Sequence, residues 1–178
     1  MTSLRPDVAR RLALEVQKLH KAELGGIHVR FNPDNIADIQ AVIDGPENTP
    51  YEGGEFLVKL EIGDDFPQKP PKGYFLTKIF HPNVSEPGAI CLSTLSHDWT
   101  EDMGFDHLLM TIRCLLIEPN AESALNEEAG KLLLENYQEY CRRAKLMTSI
   151  HAMKKTAKTV TSTKSSKTAK AKKGIGRL

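Results

Sequence analysis

A run of strict alternation restricts this chain more than any other feature. Phe56, Val58, Leu60 and Ile62 interleave with Leu57, Lys59 and Glu61. Successive side chains of a strand point to opposite faces, so this spacing predicts a strand with one face in a core. Gly53-Gly54 turns the chain into it, and Pro67, Pro70 and Pro71 stiffen the loop that follows. Ile27 to Phe31, Ile39 to Ile43 and Tyr74 to Ile79 read as further strands, with Gly45-Pro46 breaking the chain between them. On either side the period lengthens. Asp7 is placed to cap a first helix that carries Val8, Leu12, Val16 and Leu19 on one face and ends at Gly25-Gly26. From Asp106 a second helix carries Leu108, Leu109, Ile112, Leu115 and Leu116 in register until Pro119. A third starts near Asn126 and runs through Leu132, Leu133 and Tyr137, and a last one covers Tyr140 to about His151. Helix, strand run, irregular segment, helices: the order predicts an α+β fold with helices packed on an antiparallel sheet.

Charge divides the chain. Residues 154–178 hold eight lysines, one arginine and no acid, a net +9, whereas residues 1–153 hold 15 basic and 23 acidic side chains, a net −8. The basic stretch is Lys, Thr, Ser and Ala with almost no large apolar residue, so it cannot offset its ordering entropy and is expected to be a disordered tail. The expected organisation is therefore one catalytic domain, residues 1–153, and a tail, 154–178. No run of residues is apolar enough to cross a bilayer, and Met1 to Arg10 has no apolar leader centre. A monomer in the cytoplasm or nucleus, with no membrane partner, is the expectation. The acidic body would repel phosphates and the tail has no interleaved aromatics, which argues against a nucleic-acid-binding module.

Three widely spaced cysteines, Cys91, Cys114 and Cys141, argue against a disulfide framework, and no Cys/His cluster has zinc-ligand spacing. Each is buried filler or a reactive thiol. Cys114 sits among Ile112, Leu115 and Leu116, which predicts burial; Cys141 lies beside Arg142 and Arg143 and is expected to be partly exposed. Cys91 differs. It lies in the segment His81 to Gly104, which has no sustained period, and it follows Asn83 by eight residues. A thiolate attacks carbonyls well, and a thioester keeps its acyl group activated. When an amine attacks a thioester an oxyanion develops, and an amide such as Asn83 can donate to it, or can instead hold the surrounding loop.

His81-Pro82-Asn83 followed by Ile90-Cys91-Leu92 resembles the signature of the ubiquitin-conjugating enzymes. Gly45-Pro46, Thr49-Pro50-Tyr51-Glu52-Gly53-Gly54, Pro70-Pro71-Lys72, Trp99, Pro119-Asn120 and Glu127-Glu128-Ala129 complete the set in the family's order, over about residues 5–150. The resemblance implies the family's fold, an N-terminal helix, a four-stranded antiparallel sheet and C-terminal helices. It implies a transferase of the ubiquitin conjugation pathway that takes ubiquitin from the activating enzyme as a Cys91 thioester and passes it to a lysine amine. It implies no bound cofactor, since ATP and magnesium are used by the activating enzyme. Alternatives are a non-catalytic ubiquitin-binding scaffold of the same fold, or a conjugating enzyme for another ubiquitin-like modifier.

Pro71 to Phe80, Glu122 to Gly130 and the lysine-rich ending are most similar to the S-type branch of the family. That branch implies elongation of lysine-eleven-linked chains in the cell cycle, with the anaphase-promoting complex as ligase and the tail as its docking segment. The ending Gly176-Arg177-Leu178 has glycine where the branch has a second basic residue, and Arg177 and Leu178 are candidate docking residues. Gln68 stands where many members insert an apolar residue into ligases, and Ser96 stands where the S-type enzyme carries a self-modified lysine. By resemblance His81 and Pro82 support the loop and His81 transfers no proton. Glu127 is the candidate acid that places the amine, although an acid in a helix's first turn also suits the macrodipole. Ser123 replaces an aspartate of many relatives and supplies no charge, leaving the acceptor ubiquitin as a source of one. Ile112 and Cys114 are candidates to clasp donor ubiquitin, and Arg10 and Arg11 to meet the activating enzyme.

Overall fold

The computed structural model describes residues 4–154. The tail, with Arg177 and Leu178, lies outside the described residues. Helix α1 (Pro6–Lys21) leads into strands β1 (Ile27–Phe31), β2 (Ile39–Asp44), β3 (Glu55–Glu61) and β4 (Lys72–Phe75). They form one antiparallel sheet in the order β1-β2-β3-β4. Alternation sets the register. Ile39, Ala41 and Ile43 lie opposite Leu60, Val58 and Phe56, and all six are buried. Helices α2 (Leu92–Ser96), α3 (Phe105–Ile117), α4 (Glu127–Glu135) and α5 (Tyr137–His151) follow. The α3 stripe Leu108, Leu109, Ile112, Leu115 and Leu116 is buried in the same core as the sheet, with Val8, Leu12 and Leu19 of α1.

Five boundaries differ from the sequence expectation. Asp7 does not cap α1: the N-cap is Arg5, which makes no side-chain cap bond, Pro6 opens the helix, and Asp7 lies in its first turn, where its charge suits the dipole. The helix stops at Lys21, before Gly25-Gly26. Strand β4 begins two residues earlier than expected and ends at Phe75, not Ile79. Its ladder stops because the Leu57 carbonyl accepts from both Leu76 and Thr77, and because the Phe75 N–H is taken by the Gly88 carbonyl. The irregular segment contains α2, a helix too short to leave a periodic trace. The helix expected to pass through Tyr137 breaks at Asn136, whose side chain accepts from the Glu139 N–H and starts α5.

Two polar links fasten helices to the rest. Buried Glu15 of α1 accepts from the Phe105 N–H at 3.0 Å, and Arg11 bonds both Glu15 and the Met103 carbonyl, tying α1 to the start of α3. Arg11 is thus partly buried and engaged within the molecule, not on a fully solvated helix face, while Arg10 stays exposed. Buried Tyr51 donates to the Phe80 carbonyl at 2.7 Å and lies 2.6 Å from the hydroxyl of Tyr140, which donates to it and so joins α5 to the segment before His81. Met153 bridges Gly54, and Lys154 pairs with Glu55 at 2.9 Å.

Candidate active site

Main-chain bonds build the loop that carries Cys91. The Ile90 N–H donates to Gly73 of β4 at 2.9 Å, and the Cys91 N–H donates to the Asn83 carbonyl at 3.0 Å. Ser85 and Ala89 close a turn between them, in which Gly88 adopts φ +104°, a region that favours glycine. A Cβ at Gly88 would overlap the Phe75 carbonyl. The thiol therefore stands on a ledge fixed to the sheet edge.

His81 sits beneath, fully buried. Its Nε2–H donates to the Leu115 carbonyl at 2.7 Å, and Nδ1 accepts from the Asn83 N–H at 3.0 Å, which fixes the neutral tautomer. Burial pushes its pKa down to about 4, only partly opposed by the Leu115 carbonyl. Both ring nitrogens are occupied by main chain, so His81 braces the loop and has no free nitrogen for a proton. The Pro82 carbonyl accepts from Leu125 and Asn126.

Asn83 is also fully buried. Its amide nitrogen donates to the carbonyls of Asn120, at 2.6 Å, and Ser123, at 3.1 Å, while its oxygen accepts from the Asn120 N–H at 2.8 Å. Both amide hydrogens are spent. Of the two readings of Asn83, this arrangement is the bracing one: the side chain fastens the turn Ala121–Ser123 against the thiol loop. Ser123 enters through its carbonyl alone. Asn126 then caps α4 by accepting from Ala129, which sets Glu127 in the exposed first turn of that helix. The Glu127 carboxylate makes no hydrogen bond or ion pair among the described residues, whereas neighbouring Glu128 pairs with Arg143.

Cys91 is half-buried, with Ser93 Oγ 3.0 Å from its sulfur. Burial pushes the thiol pKa up, but the Ser93 hydroxyl, with the nearby polar groups of Ser93 and Thr94, outweighs it and holds the thiol below its ordinary value. Sequence reasoning passes over both residues, because a hydroxyl two or three positions past a thiol forms no recognisable pattern. Ser96, in the same short helix, is exposed and donates to the Leu92 carbonyl.

The two α3 candidates separate. Ile112 is completely buried and can touch no partner, a correction to its pairing with Cys114. Cys114, expected to be buried, is exposed. It lies on the opposite side of α3 from Ile112, in an open groove of about 650 Å³ lined by Thr111, Ile117, Glu122 and Leu134. Cys141 is partly exposed, as expected. Among the described residues no group of three His, Cys, Asp or Glu is placed to hold a metal ion, and no helix is long and apolar enough to cross a membrane.

Comparison with known proteins gives one result. The ubiquitin-conjugating enzyme profile matches residues 11–148. The ubiquitin-conjugating enzyme E2 S of Branchiostoma floridae is 58% identical over 157 residues, covering 88% of this chain and 73% of that protein. The protein of the same name from Dictyostelium discoideum is 56% identical over 152 residues, covering 85% and 71%. Among solved structures, the E2 domain of a Toxoplasma gondii ubiquitin conjugating enzyme aligns with a TM-score of 0.71 at 34% identity, covering 81% of this chain and 98% of that one.

Proposed function

The chain belongs to the ubiquitin-conjugating enzymes, transferases that work through a cysteine thioester, and from that premise we propose that Cys91 is the cysteine that carries ubiquitin. The observation that supports this reading best is the sulfur itself: half-buried, held below its ordinary pKa, and seated on a ledge of main-chain hydrogen bonds. In the first step the Cys91 thiolate attacks the thioester of ubiquitin on the activating enzyme, which has spent ATP and magnesium to form it. One carbon–sulfur bond forms and another breaks. In the second step a lysine amine attacks the Cys91 thioester, a carbon–nitrogen bond forms, and Cys91 leaves as the thiolate.

Around this chemistry the residues divide their work. His81 and Pro82 hold the loop. Asn83 fastens the Asn120 to Ser123 segment beside it, and would have to release one of its two carbonyls before donating to an oxyanion. Glu127, exposed and unpaired among the described residues, is the acid that orients the incoming amine. Cys114 and its groove receive donor ubiquitin, in place of the buried Ile112. The finer assignment, elongation of lysine-eleven-linked chains with the anaphase-promoting complex, draws its support from identity of 56–58% to proteins named E2 S. In that assignment residues 154–178 dock on the ligase through Arg177 and Leu178.

Incubation with activating enzyme, ATP and ubiquitin tests the carrier role. We expect an adduct that thiol reductant removes and that Cys91→Ala abolishes. An adduct that persists in Cys91→Ala, or none in the wild type, overturns the assignment. Ubiquitin whose lysine at position eleven is replaced by arginine tests the linkage, since chain growth should stop with it.

A further inference from the structure

One group beside the thiol takes no part in holding the loop. The ledge under Cys91 is made by main-chain bonds from Ile90 and Cys91 and by the side chains of His81 and Asn83. Ser93 contributes to none of them. Its hydroxyl is exposed, and its one hydrogen-bond partner among the described residues is the Cys91 sulfur, at 3.0 Å. Thr94 adds a second sign that the surroundings are arranged around the sulfur. Its hydroxyl oxygen is buried without a hydrogen-bond partner among the described residues, three positions past Cys91 in the short helix that the cysteine opens. A buried hydroxyl without a partner is costly, so its presence calls for a reason.

We propose that Ser93 is a positioning residue for ubiquitin transfer, its hydroxyl donating a hydrogen bond to the Cys91 sulfur that strengthens as the thiolate departs. The inference rests on Cys91 being the carrier. When the amine attacks, its nitrogen lone pair forms the carbon–nitrogen bond. The carbon–sulfur bond breaks, its electron pair goes to Cys91 Sγ, and the surplus proton of the amine passes to solvent water. A thioester sulfur accepts hydrogen bonds poorly, whereas a thiolate accepts them well. The Ser93 contact is therefore worth more at the transition state than in the loaded enzyme, which is the condition for accelerating the step. The same contact favours the thiolate that must attack during loading. A thiolate has no hydrogen to give, so with it Ser93 is the donor. Burial excludes water from one side of the sulfur, and among the described residues the Ser93 hydroxyl is the group in hydrogen-bond contact with it.

The full-length protein carrying S93A or S93T is measured beside the wild type in two assays. The first is alkylation of Cys91 by iodoacetamide, followed by peptide mass spectrometry so that Cys114 and Cys141 do not interfere. The second is single-turnover discharge of the isolated Cys91 thioester to free lysine. S93A should slow both by about three- to ten-fold, the reach of one solvent-exposed hydrogen bond to a charged atom. S93T keeps the hydroxyl and should restore both to within about two-fold of the wild type on the same ground. S93A matching the wild type in either assay, or S93T as slow as S93A, overturns the inference. The alkylation assay needs no ubiquitin, which separates the two possible failures. If no variant forms a thioester, the carrier reading falls and takes the transfer role of Ser93 with it. If all variants load and S93A discharges at the wild-type rate, only the role of Ser93 falls.

Discussion

Asn83→Ala separates bracing from catalysis. The side chain is fully buried and makes three bonds to main chain on a segment 37–40 residues away. Truncation leaves the Asn120 carbonyl, the Ser123 carbonyl and the Asn120 N–H without their partner. Each lost bond costs about 1 kcal/mol, and somewhat less where solvent takes its place. Asn120 is exposed, so the total is about 2–3 kcal/mol. For a domain of this size that lowers Tm by roughly 4–12 °C. Scanning calorimetry of Asn83→Ala against the wild type measures it, and Asn83→Asp sharpens it. Aspartate can still accept from Asn120, but it turns a second oxygen toward two carbonyls, so it should fall at least as far. Loading of Cys91 should persist at a temperature where the variant is folded. A Tm change below about 2 °C accompanied by a large loss of lysine discharge would refute the bracing account and return Asn83 to the oxyanion.

Two further outcomes follow from the same loop. His81 is neutral when folded, with a pKa of about 4, below the ordinary value of 6.5 it regains on unfolding. The unfolded chain therefore binds more protons between those values, so the stability due to His81 is complete above about pH 6.5 and is lost as pH falls toward 4, by about 3 kcal/mol in all. Urea unfolding at pH 7 and 4.5 should show this slope in the wild type and a shallower one in His81→Gln; equal slopes would contradict it. Gly88→Ala should cost at least about 2 kcal/mol, from the positive φ and from overlap with the Phe75 carbonyl, and a urea midpoint equal to that of the wild type would show that the turn relaxes without strain.

The sheet was legible because its cause is local: alternation at Phe56, Val58 and Leu60 forces one face inward whatever surrounds it. The α3 stripe was legible for the same reason. That periodicity also held the answer for Cys114. Two residues past Ile112 is about 200° around a helix, so the burial of Ile112 and the exposure of Cys114 are one fact. The expectation went astray by weighing neighbours in sequence instead of position on the helix. The cysteine and its asparagine were readable from the ordered set of motifs. What Asn83 does was not, since both readings use the same two hydrogens, and the carbonyls that hold them here come from a segment 37–40 residues away. Glu15 shows a different limit: an acid on an amphipathic helix reads as solvated, and nothing nearby announces the Phe105 N–H that buries it.

The ledge under Cys91 is held by peptide groups and by the buried side chains of His81 and Asn83, not by the exposed side chains around the sulfur. Its shape is therefore indifferent to most of the side chains that surround the sulfur. Positions 93, 96 and 123 can be rewritten while the thiol stays where it is, so the surface that meets an acceptor can be altered separately from the scaffold that aims the nucleophile. Ser96, whose side chain among the described residues bonds only the Leu92 carbonyl of its own helix turn, is the plainest case: a lysine there would add an amine five residues past the thiol without asking the loop to refold.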